Sequence, residues 1–546
     1  MEDAETLAAL LDRRASEAPD SPALVASNGQ TVSYAELGRL SRRTAAWLTS
    51  QGLSKGDCVA VWLVNRVEWL ALLYGAGSIG VGVVAVNTRY RGAELQHILR
   101  RSSASMLVLD AQFRKIDFLS LLQDVDPDSV PDLSCIAILE QGQQPDNILG
   151  RKVVRFDLAV LPDGEVPENS APDALAVLFS TSGTTKLPKL VMHTQRTLSY
   201  HTRHLSRAFG FSQDGARLLG ALPLCGVFGL NPVLAAIAGG ATVYLMEAFD
   251  DREAAELIKR HSITHAFGSD EMFRRILENT TEEKPMPAAR VVGYAALQAG
   301  ASELARAAWS RGVPMTGMYG SSEVNALFSK QPDHLPLDER IKAGGVPVSA
   351  EARVQIRDPE TGELLPAGKS GIIEIRAPSN FIGYWNDPDA TAKVIDAEGF
   401  YRTGDMGMLR EDGSFVYEAR VDDAMRLSGF LVNPGEIEDV LKGIEGVKDA
   451  QVISVTLDGK LRSAAFIIPA PGASPDPSNV IAEAGRLMAT FKVPARVWVV
   501  EQFPVTESAN GMKIQRAQLR KMAAERLEKE KSGSDQVLEM RSYTGR

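Results

Sequence analysis

Residues Leu178 to Val191 read LFSTSGTTKLPKLV. An apolar run, Ala174 to Phe179, gives way to seven consecutive small, hydroxylated or cationic residues: Ser180, Thr181, Ser182, Gly183, Thr184, Thr185 and Lys186. A second cation, Lys189, follows Pro188, and a helical pattern begins soon afterwards. Such a loop offers bare backbone N–H groups, short hydroxyls and a mobile ammonium, which a polyphosphate requires. Its glycine and lysine are not spaced as G-x-x-x-x-G-K-[ST], so it is not that phosphate loop. Taken alone, the run also reads as a polar surface turn. The chain on either side favours the phosphate cradle.

On the N-terminal side, helical patterns alternate with short apolar runs. Glu36 to Gln51 carries leucine, alanine and tryptophan at helical spacing and stops at Gly52, while DCVAVWLV (57–64) and MLVLD (106–110) read as strands. Beyond the loop the rhythm continues, with strands expected near 174–179, 217–222, 241–246, 263–267 and 290–294. The alternation implies α/β architecture with mainly parallel sheets covered by helices. From about 342 the pattern changes to alternating apolar and polar residues with turns at DPETGE and PAGKSG. A hairpin over 406–420 turns at Glu411-Asp412-Gly413. This predicts a small β subdomain over about 342–421, barrel-like or a distorted sheet, closing a large N-terminal domain over 1–421. Past Val421, polar residues precede a short strand and a helix opening near Pro434. Residues 422–546 are read as a small α+β domain with a hinge at Asp423 and a charged tail that frays from about 525.

With 546 residues, 45% hydrophobic and 23% charged, the chain has material for more than one large core. A net charge of -10 argues against nucleic-acid binding as its main role. Cys58, Cys135 and Cys225 are scattered and odd in number, which gives no disulfide framework and suits a reducing, cytoplasmic compartment. The N-terminus has no apolar signal-peptide core. Leu70–Asn87 and Leu218–Met246 are long and uncharged, yet glycines and prolines cut them into strand- and helix-length pieces, so they are expected in the core rather than in a membrane. His261 with His265, and His193 with His201 and His204, lack cysteine or acidic companions, so no transition-metal site is expected.

Four further motifs carry chemistry. Tyr319-Gly320-Ser321-Ser322-Glu323 joins an aromatic face to hydroxyls and to a carboxylate suited to Mg²⁺. Tyr401-Arg402-Thr403-Gly404-Asp405 places an acceptor-only carboxylate where it could take both protons of a ribose diol. Ser428-Gly429-Phe430 combines room beside the backbone with an apolar wall, and Asn510-Gly511-Met512-Lys513-Ile514 presents a late cation.

In this order, from VSYAEL (32–37) to KIQRAQLR (513–520), the motifs resemble the adenylate-forming superfamily of acyl-CoA synthetases, luciferases and peptide-synthetase adenylation domains. The resemblance is closest to acyl-CoA ligases. It implies a large α/β domain and a small mobile lid that rotates between two half-reactions. A carboxylate first attacks ATP to give acyl-AMP and pyrophosphate, and the thiol of coenzyme A then displaces AMP. It assigns the nucleotide to Thr181, Ser182, Gly183, Thr184, Thr185, Lys189, Tyr319, Asp405, Tyr417 and Arg420. Ser322 would meet phosphate, Glu323 would hold Mg²⁺, and Lys513 would offset charge at the α-phosphate. The acyl pocket would be formed by Gly226, Phe228, Gly293, Tyr294, Ala295, Gly320 and Val324, and the CoA channel by Ser428, Gly429 and Phe430.

Two departures fall in the phosphate loop, where the family usually has glycine: Lys186 and Leu190. A side chain there costs roughly 1–2 kcal/mol if φ is left-handed, and Lys186 alone offers a compensating charge. Gly226 stands where a histidine is frequent, which leaves room for a bulkier acid; Ser269-Asp270-Glu271 lacks a frequent proline. The expectation is therefore an acyl-CoA ligase for a sizeable, mostly hydrophobic carboxylic acid. Its thioester-forming step is intact and its ATP-dependent adenylation weak or absent, with the acyl-AMP supplied by a partner synthetase. A complete ATP-dependent synthetase, an acyl-AMP-binding pseudoenzyme and a carrier-protein-loading enzyme stay open. No nucleic-acid or membrane partner is expected.

Overall fold

The computed structural model describes residues 5–139, 146–161, 163–164, 166, 169–180, 188–296, 301–421, 425–427, 430–432, 434–457, 460–488, 490–508 and 511–543; at 426, 430–431, 460, 507–508, 511–513 and from 531 on, only the backbone is described. Two sheets dominate. The first has eight strands in the order Leu190–Thr194, Leu175–Ser180, Gly82–Ala85, Cys58–Trp62, Met106–Leu109, Cys135–Ile138, Arg151–Arg155 and Asn147–Ile148. Its central neighbours are parallel. Trp62, Val84, Val86 and Leu109 are buried on one face, and Val59, Val61, Val83 and Ala85 join the main core on the other. Burial on both faces is why these strands read as unbroken apolar runs.

Among the described residues the second sheet has thirteen strands, beginning at its edge with Thr31–Ser33, antiparallel to Pro22–Val25. Pro22–Val25, Thr242–Leu245, Arg217–Gly220, His265–Ser269, Val291–Ala295 and Met315–Ser321 form a parallel array. Antiparallel strands Asn325–Lys330, Gly344–Pro347, Phe415–Arg420, Tyr401–Leu409, Gly371–Arg376 and Arg353–Arg357 continue it. Of the two shapes expected for 342–421, the open sheet is found: among the described residues the strand order is linear and no pairing closes it. The physical reason is a shared core. Ile356, Ile373, Ile375 and Phe415 bury against the same cluster as the N-terminal strands, so the segment extends the sheet instead of enclosing a core of its own.

The long uncharged stretches resolve into core elements. Helix Val67–Ser78 leads to Gly82–Ala85, and strand Arg217–Gly220 leads to helix Val227–Gly239 and strand Thr242–Leu245. No helix among the described residues is long and apolar enough to cross a membrane. From Met425 onward the chain builds a separate α+β layer. Strands Val447–Leu457, Lys460–Pro469 and Arg496–Val499 pair, helices Pro434–Lys442, Pro477–Leu487 and Arg516–Tyr543 follow in sequence, and no described hydrophobic cluster spans residues on both sides of 422–424. The hinge assigned to Asp423 lies outside the described residues. The last helix is Arg516–Tyr543, with only its backbone described from 531 on.

Candidate functional site

The phosphate-type loop joins two antiparallel strands, not a strand to a helix: Phe179 pairs with Val191 and Ser180 with Leu190. Helix Gln195–Phe209 starts later, capped by Thr194, whose hydroxyl accepts the N–H of Thr197. Thr181, Ser182, Gly183, Thr184, Thr185 and Lys186 lie outside the described residues. Their flanks are held. Tyr90 donates its hydroxyl to Ser180 Oγ at 2.7 Å, and His97 Nε2 meets the Pro188 carbonyl at 2.9 Å.

Leu190 corrects an expectation. It is extended within its strand, 1% exposed, and packs among the apolar residues of the first sheet. It is not among the described residues with positive φ, so the strain argued for a side chain at this position does not arise. Leu190 counted as a filled glycine position because its strand partner, Ser180, lies across the loop, ten chain positions away, and is invisible to local pattern.

The nucleotide-side residues converge. Asp405 and Arg420 are direct cross-strand partners, and Arg420 Nη1 donates to Asp405 Oδ1 at 2.7 Å. Tyr319 Oη, at the end of the parallel array, donates to Asp405 Oδ2 at 2.7 Å. Asp405 is 5% exposed, and its own N–H donates to Thr403 Oγ1 at 3.0 Å, which in turn donates to Ile373 O. Burial, helped by the Asp405 charge, pushes the Tyr319 phenol well above its ordinary pKa, so it stays a donor. Tyr417 lies with its ring centroid 5.9 Å from that of Tyr319. The result is a buried carboxylate fixed on both oxygens beside an aromatic pair.

Glu323 sits in the tight turn between Met315–Ser321 and Asn325–Lys330 and is 9% exposed. Gly320 is needed in this turn because a Cβ there would meet Asn325 O at 2.6 Å. Asn325 and Leu327 hold φ of 68° and 58°, a left-handed backbone that persists only where surroundings over-determine it. The surroundings do so. Asn231, on the helix Val227–Gly239, donates to Asn325 Oδ1 at 3.2 Å and accepts from Ala326 N–H at 3.1 Å, and Asn325 donates to Ser379 O at 2.8 Å. His193 Nε2 donates to Ser322 O and His201 Nε2 to Ala326 O, each at 2.8 Å. Burial holds both imidazoles down at about 4, so each is a neutral donor at pH 7. Tyr384 donates its hydroxyl to Glu323 Oε1 at 3.0 Å, and Lys189 Nζ lies 4.5 Å above the centroid of the Tyr384 ring.

Among the described residues, no three His, Cys, Asp or Glu side chains converge to hold a metal. Glu323 alone fits Mg²⁺, as an ion that keeps its waters and arrives on substrate phosphates rather than in a protein cage.

The acyl-pocket residues divide. Gly226 is the N-cap of Val227–Gly239, and Phe228 and Val324 are buried in the main core. Along Val291–Ala295 the side chains alternate. Ala295 packs toward the main core, and a Cβ on Gly293 would meet Phe267 at 2.5 Å and Met318 at 2.7 Å. Tyr294 points to the other face, buried among helices and donating to Ile341 O at 2.7 Å. Its assignment to the acyl pocket is therefore corrected by strand alternation.

In the C-terminal layer, Ser428 and Gly429 lie outside the described residues. Phe430 begins the strand Phe430–Val432, which pairs with Met425–Leu427. Lys513 pairs with Thr506 in a hairpin whose four pairs run without a bulge; Met512, an extra residue beside the family's usual G-K-I, pairs with Glu507 as an ordinary strand residue. Arg516 donates to Glu438 Oε1 at 2.7 Å, tying the helix after the Lys513 hairpin to the helix after Phe430–Val432.

Residues 11–385 match the family model described as AMP-binding enzyme, and residues 436–510 match the AMP-binding enzyme C-terminal domain. The chain is 31% identical over 528 residues to 4-coumarate–CoA ligase 2 of Oryza sativa subsp. japonica, covering 94% of this chain and 91% of that protein. It is 29% identical over 531 residues to the fatty acid–[acyl-carrier-protein] ligase ScoC of Streptomyces coeruleorubidus, covering 94% and 96%. The fold is similar to that of ATP-bound MatB from Rhodopseudomonas palustris, with a TM-score of 0.81 at 24% identity over 94% of this chain and 98% of that one.

Proposed function

The chain belongs to the AMP-binding enzyme family, and on that premise we propose that it is an acyl-CoA ligase working through an acyl-adenylate, with a slow adenylation step and a competent thioester-forming step. In the first step a carboxylate oxygen of the acid bonds to the α-phosphorus of ATP while the bond to the bridging oxygen breaks and pyrophosphate leaves. In the second the CoA thiolate bonds to the acyl carbon, and AMP leaves with the electron pair of the broken C–O bond.

Asp405 takes the ribose hydroxyls, steadied by Arg420 and Tyr319, and Tyr417 packs on the adenine. Ser322 meets the α-phosphate. Magnesium, when bound at Glu323, neutralises charge on the phosphates. Lys513 offsets the charge that develops on the α-phosphate. Gly226, Phe228, Gly293, Ala295 and Val324 surround a sizeable, mostly hydrophobic acyl group. Rotation of residues 422–546 about Asp423 brings Ser428, Gly429 and Phe430 to the thiol. The observation that carries the reading is the Asp405 carboxylate, buried and held on both oxygens by Arg420 and Tyr319 next to the Glu323 turn.

Slow adenylation is argued from Lys186 alone, which replaces a phosphate-loop glycine; the buried, extended Leu190 gives it no support. The natural input would then include a preformed acyl-adenylate from a partner synthetase. The test uses aliphatic and aryl acids with ATP, and their synthetic adenylates, each with CoA or a phosphopantetheinylated carrier protein. Thioester is read by mass spectrometry and AMP by chromatography. CoA thioester from an adenylate supports the reading, transfer to the carrier protein only would reassign the acceptor, and no thioester under any condition would leave a binding protein.

A further inference from the structure

Tyr384 belongs to none of the motifs above, yet it touches both charged groups next to the phosphate-type loop. Its hydroxyl bonds Glu323 Oε1 at 3.0 Å, and its ring carries the Lys189 ammonium 4.5 Å from the centroid. The side chain is 8% exposed and packs edge-to-face with Phe381, centroids 5.1 Å apart.

The backbone around it is pinned twice. Trp385 N–H donates to Leu190 O at 2.8 Å, and Met192 N–H to Gly383 O and Ile382 N–H to Met192 O at 3.0 Å each; Tyr384 itself bridges to Val191. The segment is thereby zipped onto the strand that leaves the loop. On its other side, Phe381 N–H donates to Glu323 O at 2.7 Å. Tyr384 thus spans the gap between that strand and the Glu323 turn.

The choice of a phenol has a consequence. A neutral O–H on one carboxylate oxygen fixes the plane of the group and leaves its net negative charge in place, so the second oxygen can still bind a cation. The aromatic face meanwhile attracts the Lys189 ammonium and brings no charge of its own. A lysine or arginine at this place would hold Glu323 but offset its negative charge and compete with the metal for it.

Resting on the ligase reading and going beyond it, we propose that Tyr384 is a positioning residue for adenylation: it orients Glu323 toward phosphate-borne magnesium and holds Lys189 at the loop exit. Mn²⁺ serves as the probe, read by its paramagnetic resonance signal in the full-length protein with a non-hydrolysable ATP analogue, so that no turnover intervenes. Tyr384→Phe keeps the ring and loses the hydroxyl. It is expected to weaken Mn²⁺ retention in the ternary complex about tenfold, as for loss of one hydrogen bond to a charged group, with a much smaller change in affinity for metal-free AMP. Tyr384→Leu loses the ring as well and should weaken binding of the triphosphate further.

Retention of Mn²⁺ within twofold of wild type in Tyr384→Phe overturns the proposal. An equal loss of AMP affinity also overturns it, because that would be general damage to the fold. If the wild-type protein holds no Mn²⁺ with the analogue, the proposal falls while CoA thioester formation from acyl-AMP still supports the ligase reading. If the wild-type protein forms no thioester either, both fall together.

Discussion

Lowering the pH from 7 to 5 should weaken the framework that carries Glu323, and His201 isolates the effect. Its ring is buried, its Nε2 donates to Ala326 O at 2.8 Å, and burial pushes its pKa down from 6.5 to about 4. A depressed folded-state pKa means that the unfolded chain takes up the proton first. The contribution of His201 is therefore fully present above pH 6.5 and is lost as the pH falls toward 4. Linkage over that window gives a loss of about 2 kcal/mol between pH 7 and pH 5 for one such group. Carboxylates titrate nearby, so the quantity to read is the difference between the wild type and His201→Gln, whose amide can still donate to Ala326 O but cannot take up a proton. Urea denaturation followed by tryptophan fluorescence supplies it. At pH 7 the variant should be the less stable protein, and by pH 5 the gap should close by about 2 kcal/mol. A gap independent of pH would refute the buried neutral donor, and with it this account of how the turn is held.

Asp405→Asn removes the charge that Arg420 and Tyr319 both meet, and should weaken AMP binding by about 2–3 kcal/mol, or roughly 30- to 150-fold, in a calorimetric titration; a change under threefold would sink the ribose assignment. Asn231→Leu leaves Ala326 N–H and Asn325 Oδ1 buried without their partner. About 2–4 kcal/mol of stability should be lost, seen as a lower thermal transition, and an unchanged transition would mean that the turn is held by other contacts.

Much of this architecture was legible because it is periodic. The strand runs around 57–64 and 217–222, the hairpin over 406–420 and the helix opening near Pro434 all appear close to their expected positions. Asp405 and Arg420 were assigned from separate motifs, and the hairpin register brings them face to face. What was not legible depends on contacts remote in sequence. Asn231, His193, His201 and Tyr384 act by bonding a turn 61 to 129 positions away, and nothing in their own neighbourhood marks them. Leu190 looked like a filled glycine position until its strand pairing placed it in the core. Tyr294 could have been excluded from the sequence: the alternation in Val291–Ala295 puts it on the opposite face from Gly293 and Ala295. Whether 342–421 would close as a barrel or lie open as a sheet was not legible for a different reason, since local hairpin patterning says nothing about which sheet a hairpin joins.

The two half-reactions, timed on one preparation with one acid, test the central claim most directly. Acyl-CoA formation from synthetic acyl-AMP and CoA is compared with pyrophosphate release from the same acid and ATP. The first rate should exceed the second by about tenfold or more, the scale of the 1–2 kcal/mol that a side chain at position 186 would cost if the chain there needs a left-handed φ, and Lys186→Gly should raise only the second. Pyrophosphate release as fast as thioester formation, unchanged by Lys186→Gly, would contradict the account.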